Sequence, residues 1–156
     1  MIRTFIALEL PKSLKSKLDN VINRYSKVTP LGVNWVKQET LHLTLLFIGD
    51  VQPSQLSEIE EVLSHQLINF SAFHFTSEGL EFFPATDPRL LWLKLSSENN
   101  DVFKLNRLLI RELSAKGIVP DKKAMKLHIT LARLKISLHP ELEREIMSRD
   151  LKQGPL

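Results

Sequence analysis

The triplet His-x-Thr followed by leucine occurs twice in this chain, as His42-Leu43-Thr44-Leu45 and as His128-Ile129-Thr130-Leu131, each time inside an apolar run. Side chains on a β-strand alternate between faces, so in each copy the histidine and threonine share one face and the apolar residues take the other. Each copy therefore sets an imidazole beside a hydroxyl on a strand whose reverse is suited to a core. A lone histidine in an apolar strand is more often structural than catalytic. Repetition with the same threonine spacing reverses that expectation. The two strands read as two halves of one site, with His42, Thr44, His128 and Thr130 as its candidate residues.

What is missing narrows the chemistry. There is no cysteine, which excludes disulfides, thiol catalysis and cysteine-ligated zinc or iron–sulfur centres. No G-x-x-x-x-G-K-[ST] loop is present to cradle the phosphates of ATP. A zinc hydrolase would need a third ligand beside two histidines, and no histidine or carboxylate stands at ligand spacing from either motif. Neither a metal nor another cofactor is expected. At 156 residues, 43% hydrophobic and 25% charged, the chain reads as a soluble globular protein, one domain by length, able to bury most of its apolar surface without staples. A formal net charge of +3 is compatible with a polyanionic partner but singles none out. Ile2 to Leu10 is too short for a signal sequence or membrane span and is interrupted by Glu9, so a cytoplasmic protein without membrane contact is the default expectation.

Hydrophobic spacing predicts the elements in order. Thr4 to Leu10 reads as a buried strand ended by Pro11. Lys12 to Val28 carries Leu14, Leu18, Val21, Ile22 and Tyr25 three and four apart, as a helix requires. Pro30 and Gly32 mark the turn out, and Trp35-Val36 lead to the first His-x-Thr strand, closed by Gly49-Asp50. A second helix runs from Pro53 to about Leu67. Strands follow at Phe73–Phe83 and Arg89–Leu95, the latter with Leu91, Leu93 and Leu95 on one face and Trp92 on the other. A helix spans Val102–Ala115 with Lys116-Gly117 at its end. The second His-x-Thr strand comes next, then a short charged helix from Pro140 to Met147, with fraying expected after Arg149. This order predicts an α+β chain of two pseudo-symmetric lobes, each an antiparallel sheet with outer helices, around a central cleft shared by the two His-x-Thr strands.

The chain resembles the two-histidine phosphoesterase superfamily, and within it the microbial RNA 2′,3′-cyclic phosphodiesterases, also called 2′-5′ RNA ligases. The resemblance rests on Phe5-Ile6-Ala7-Leu8-Glu9-Leu10, on Trp35 through His42-Leu43-Thr44-Leu45-Leu46-Phe47-Ile48-Gly49, on Pro88-Arg89-Leu90-Leu91-Trp92-Leu93 and on His128-Ile129-Thr130-Leu131-Ala132-Arg133. These anchors run in family order from residue 4 to residue 133. Two departures stand out. Leu127 occupies the position before the second histidine where family members usually have proline. The family also usually continues into further β-structure after the second motif, whereas here a charged helix is expected, so that either a sheet lacks strands or the tail supplies an atypical substitute.

Opening a cyclic phosphodiester requires one group to take a proton from water and another to give one to the departing ribose oxygen. Imidazole, with an ordinary pKa of about 6.5, does either near neutral pH, so two histidines suffice. Threonine hydroxyls at Thr44 and Thr130 are suited to hold the negative phosphoryl oxygens. The residues alone assign neither role to either histidine. The resemblance implies that His42 is the proton donor to the 3′-oxygen and His128 the proton acceptor from water, leaving a 2′-phosphate on RNA or a related cyclic nucleotide. It also implies that Arg133 contacts the phosphate and that Phe47 packs near or stacks on a base. Ideal alternation turns Arg133 away from the His128 face, so a bend or bulge is required there. Trp35 and Trp92 read as packing residues, Lys126 as a solvated lysine, and His65, His74 and His139 as surface or turn residues. The competing readings are 2′-5′ ligation or cleavage by the same acid–base pair, and an RNA-end-binding module without turnover. The last would need a broken motif, and neither copy is broken. A monomeric enzyme is expected.

Overall fold

Apolar residues three and four apart place the helices, and the alternating runs between them place the strands. In the computed structural model, which describes residues 1–149 and Leu151, the elements are β1 (Ile2–Glu9), α1 (Lys12–Tyr25), β2 (Val33–Trp35), β3 (His42–Val51), α2 (Leu56–Leu67), β4 (Phe75–Phe83), β5 (Leu90–Ser97), α3 (Asp101–Ala115), β6 (His128–Leu134) and α4 (Pro140–Met147). Single 3₁₀ turns at Gln38–Thr40 and Pro53–Gln55 lead into β3 and α2. The strands follow the order β1-β3-β6-β5-β4, with β2 also paired to β6. The pairings of β6 with β2, β3 and β5 are all antiparallel. The expected α+β class with an antiparallel sheet is what forms.

α1 buries Leu14, Leu18, Val21, Ile22 and Tyr25, the residues its spacing marked, but it stops at Tyr25 rather than Val28. Pro30 disfavours the helical conformation in the residue before it. Val28 and Thr29 instead donate their amides to the Tyr25 carbonyl at 3.1 and 3.0 Å. The expectation of a buried first strand is corrected. β1 ends the strand order, Ile6 is buried, and Phe5 and Ala7 are exposed, the one-sided pattern of an edge strand. The expectation of fraying after Arg149 falls, Leu151 aside, outside the described residues.

The chain divides into two compact units. The first comprises Met1–Leu8, Thr44–His74 and Ser97–Lys126. Its helices bury Ile59 and Val62 from α2 and Val102, Leu105, Leu109 and Leu113 from α3. Asn106, buried in the same helix, donates its amide to the Leu45 carbonyl at 2.6 Å. Left unpaired, such a group would cost about 1–3 kcal/mol.

The second unit comprises Glu9–Leu43, Phe75–Ser96 and the chain from Leu127 onward. Here α4 is tied back to α1. The Tyr25 hydroxyl accepts from Arg149 Nε at 2.7 Å and donates to the Glu145 carboxylate at 3.3 Å. The bond to Tyr25 is the main cause that raises the Arg149 pKa above its ordinary value.

Candidate active site

Both His-x-Thr strands alternate as their sequences require. His42 and Thr44 are half-buried while Leu43 and Leu45 are buried, and His128 and Thr130 are half-buried while Ile129 and Leu131 are buried. Each strand then breaks phase at the same place. Leu45-Leu46 and Leu131-Ala132 are consecutive buried pairs, followed by exposed Phe47 and Arg133.

In β6 the cause is visible in the register. Leu91 of β5 pairs with Ala132 and Trp92 pairs with Thr130, so Leu131 is an extra residue on the β6 side. That is a β-bulge. Beyond it Arg133 pairs with Leu90, two residues before Trp92, and so lies on the same face as Thr130 and His128. The break in alternation that the sequence required for Arg133 is therefore present.

β3 and β6 pair antiparallel at Leu43↔Ile129. These are the middle residues of the two triplets, 1% and 0% exposed. The motifs thus meet centre to centre, and the next position of an antiparallel register sets His42 across from Thr130. Thr44 continues β3 in the first unit and is half-buried there.

Each histidine has a neighbour that constrains its ring. His42 Nδ1 lies 2.7 Å from the Thr40 carbonyl in the turn that precedes β3. A carbonyl only accepts, so this bond requires the proton on Nδ1, which leaves Nε2 as the nitrogen that exchanges protons. The His128 ring lies against Trp92, with centroids 4.3 Å apart and planes tilted by 38°. Phe83 stacks on the same indole, 4.2 Å from the Trp92 ring at 18°. The Trp92 indole N–H donates to the Glu81 carboxylate at 3.0 Å. Lys94, exposed, pairs with His128 across the β5–β6 ladder.

Trp92, Phe83 and Glu81 are the residues that sequence reasoning did not bring to the site. Trp92 is a packing residue as expected, 5% exposed, but what it packs is the imidazole. The available signal was its position on the β5 face opposite Leu91, Leu93 and Leu95. Which residue of another strand it would meet depends on register, which a single strand does not encode.

The remaining candidates sit as follows. Arg133 is exposed, faces Asn34 of β2 and Leu90 of β5, and is in none of the salt bridges found among the described residues. Phe47 is 47% exposed and its ring lies 6.0 Å from that of Phe5, also exposed. Leu127, in the family's proline position, is buried, and its carbonyl accepts from the Leu95 amide at 3.0 Å, extending the β5–β6 pairing. Trp35 donates its indole N–H to the Thr29 hydroxyl at 2.9 Å. Lys126, His65, His74 and His139 are exposed as expected. His139 caps α4 by accepting from the Glu141 amide, and His65 borders a hollow of about 260 Å³ on the first unit with Glu61, Gln66, Glu112 and Lys116. Among the described residues no group of three or more histidine or acidic side chains is placed to hold a metal ion, and no helix is long and apolar enough to cross a membrane.

Comparison with known proteins gives a consistent picture. Residues 8–92 match the family model described as LigT like Phosphoesterase, a span that includes the first His-x-Thr triplet and Trp92. The RNA 2′,3′-cyclic phosphodiesterase of Thermotoga maritima is 37% identical over 135 residues, 85% of this chain and 70% of that protein. A solved Thermus thermophilus structure is 30% identical with a TM-score of 0.70, covering 88% of this chain and 77% of its own. Escherichia coli LigT complexed with 3′-AMP shares the fold at 23% identity and a TM-score of 0.61, covering 98% of this chain and 78% of its own.

Proposed function

Because the chain belongs to the LigT-like phosphoesterase family of enzymes, we propose that it hydrolyses the 2′,3′-cyclic phosphate at an RNA end to a 2′-phosphate, using two histidines and no metal. The observation that carries this reading is the antiparallel meeting of the two His-x-Thr triplets at Leu43↔Ile129, which gathers both imidazoles from distant parts of the chain. Water attacks phosphorus as His128 takes its proton. The bond from phosphorus to the 3′-oxygen breaks, and His42, protonated on both ring nitrogens, gives the Nε2 proton to the departing oxygen. The Thr40 carbonyl keeps the other proton on Nδ1 throughout. Thr130, Thr44 and Arg133 hold the phosphoryl oxygens, the hydroxyls as neutral donors and the guanidinium as a charged fork.

RNA ends fit the reading because the Thermotoga relative is named for that substrate, and E. coli LigT was solved with a nucleotide, 3′-AMP. Every residue invoked lies in this one chain, so a single catalytic domain acting as a monomer is enough. Product analysis after incubation with an oligonucleotide ending in a 2′,3′-cyclic phosphate tests it. A 2′-phosphate product is expected. A 3′-phosphate would reverse the roles of the two oxygens, and a joined 2′-5′ product would move the reading to ligation.

A further inference from the structure

Resting on the phosphodiesterase reading, we propose that Trp92 is a positioning residue for His128: the indole, itself stacked on Phe83, fixes the imidazole and stabilises it once protonated. Three observations converge on this. The indole lies on the β5 face away from Leu91, Leu93 and Leu95, so it is not simply one more core residue of that row. Its rings stack with Phe83 at 4.2 Å and lie against His128 at 4.3 Å. Its N–H is tied to the half-buried Glu81 carboxylate at 3.0 Å, which prevents the indole from sliding or flipping.

A flat aromatic surface against an imidazole restricts rotation of the smaller ring. When His128 takes the proton from water it becomes a cation, and the electron-rich indole face favours that charged form. The carboxylate on the indole N–H strengthens the effect by drawing the proton outward and leaving the ring richer in electrons. His42 has a backbone carbonyl in the equivalent supporting role.

The test compares Trp92→Leu and Trp92→Phe with the wild type on the cyclic-phosphate oligonucleotide, alongside NMR of histidine-labelled protein. Trp92→Leu should lower kcat about ten- to a hundredfold, as loss of orientation does, with KM changed by less than about threefold. Trp92→Phe, which keeps an aromatic face, should recover most of that loss. The His128 ring protons should be shielded by the indole in the wild type and lose that shielding in Trp92→Leu. Wild-type kcat in a folded Trp92→Leu, or His128 resonances that do not move, would overturn the proposal. Should Trp92→Leu not fold, Glu81→Leu cuts the tether alone. It should lower kcat severalfold, and an unchanged kcat there overturns the proposal equally. A wild-type protein without turnover would count against the phosphodiesterase reading instead, and the resonance comparison would then decide the stack by itself.

Discussion

Neither histidine is left to find its own orientation: the His42 imidazole is anchored through Nδ1 to the Thr40 carbonyl, whereas that of His128 lies against an indole. Removing either proton-transfer group costs an enzyme of this kind about 10²–10⁴-fold. His42→Ala and His128→Ala should each lose at least a hundredfold in kcat while circular dichroism shows an unchanged fold, since both side chains are half-buried rather than core. Activity within twofold of wild type in either variant would end the two-histidine mechanism. The threonines carry a smaller share. In the proposed mechanism each hydroxyl gives about one hydrogen bond to a charged oxygen, worth roughly 1.5–3 kcal/mol. Thr44→Val and Thr130→Val should therefore each lose about ten- to a hundredfold in kcat/KM, in the rate and not the melting temperature. A null effect at Thr130 would reduce the second motif to packing. The histidine and threonine positions were legible because a period of two is a local property of a strand. Trp92, Phe83 and Glu81 were not, because their convergence depends on how three strands align.

Two small irregularities in the elements decide where Arg133 points. The Leu131 bulge brings it onto the His128 face, and β2, pairing Asn34 with Arg133, flanks it from the other side. β2 begins after Gly32, whose φ of +105° suits glycine and whose added Cβ would stand 3.0 Å from Ile136 Cγ2. The Gly32 carbonyl also accepts from the Lys135 amide at 2.8 Å, so the same residue closes the β2–β6 pairing. Gly32→Ala then meets both backbone strain and a clash, and should cost about 1–3 kcal/mol in urea unfolding. Gly49→Ala is the comparison: its φ is +94° but nothing lies within 4 Å of its added Cβ, so strain acts there without a clash and the loss should be smaller. Equal losses would mean that the Ile136 contact does not matter. The positions of Pro30 and Gly32 showed that a turn stood here, but not that α1 gives way to it already at Tyr25. The bulge showed in the sequence only as a requirement, since alternation alone turns Arg133 the wrong way.

At the scale of the whole molecule, the proposed mechanism answers the charge on the reacting phosphate with hydroxyls and one guanidinium. Turnover should therefore survive excess chelator, measured on the cyclic-phosphate oligonucleotide before and after treatment. Loss on chelation with recovery on added zinc would move the reading to a metal site. The sequence by itself determined the repeated His-x-Thr triplets, the helices that their spacing of three and four specifies, and the α+β order of elements, because each of these follows from short-range periodicity. It also marked Leu127 as a departure from the family. The tertiary structure decided that Leu127 is a buried member of the β5–β6 pairing, that the first strand is an edge with an exposed face, and that Leu43 meets Ile129. It decided as well that an indole lies against the second imidazole. Those outcomes turn on strand register and order, which arise from contacts between residues far apart in the chain, and no local pattern of side chains contains them.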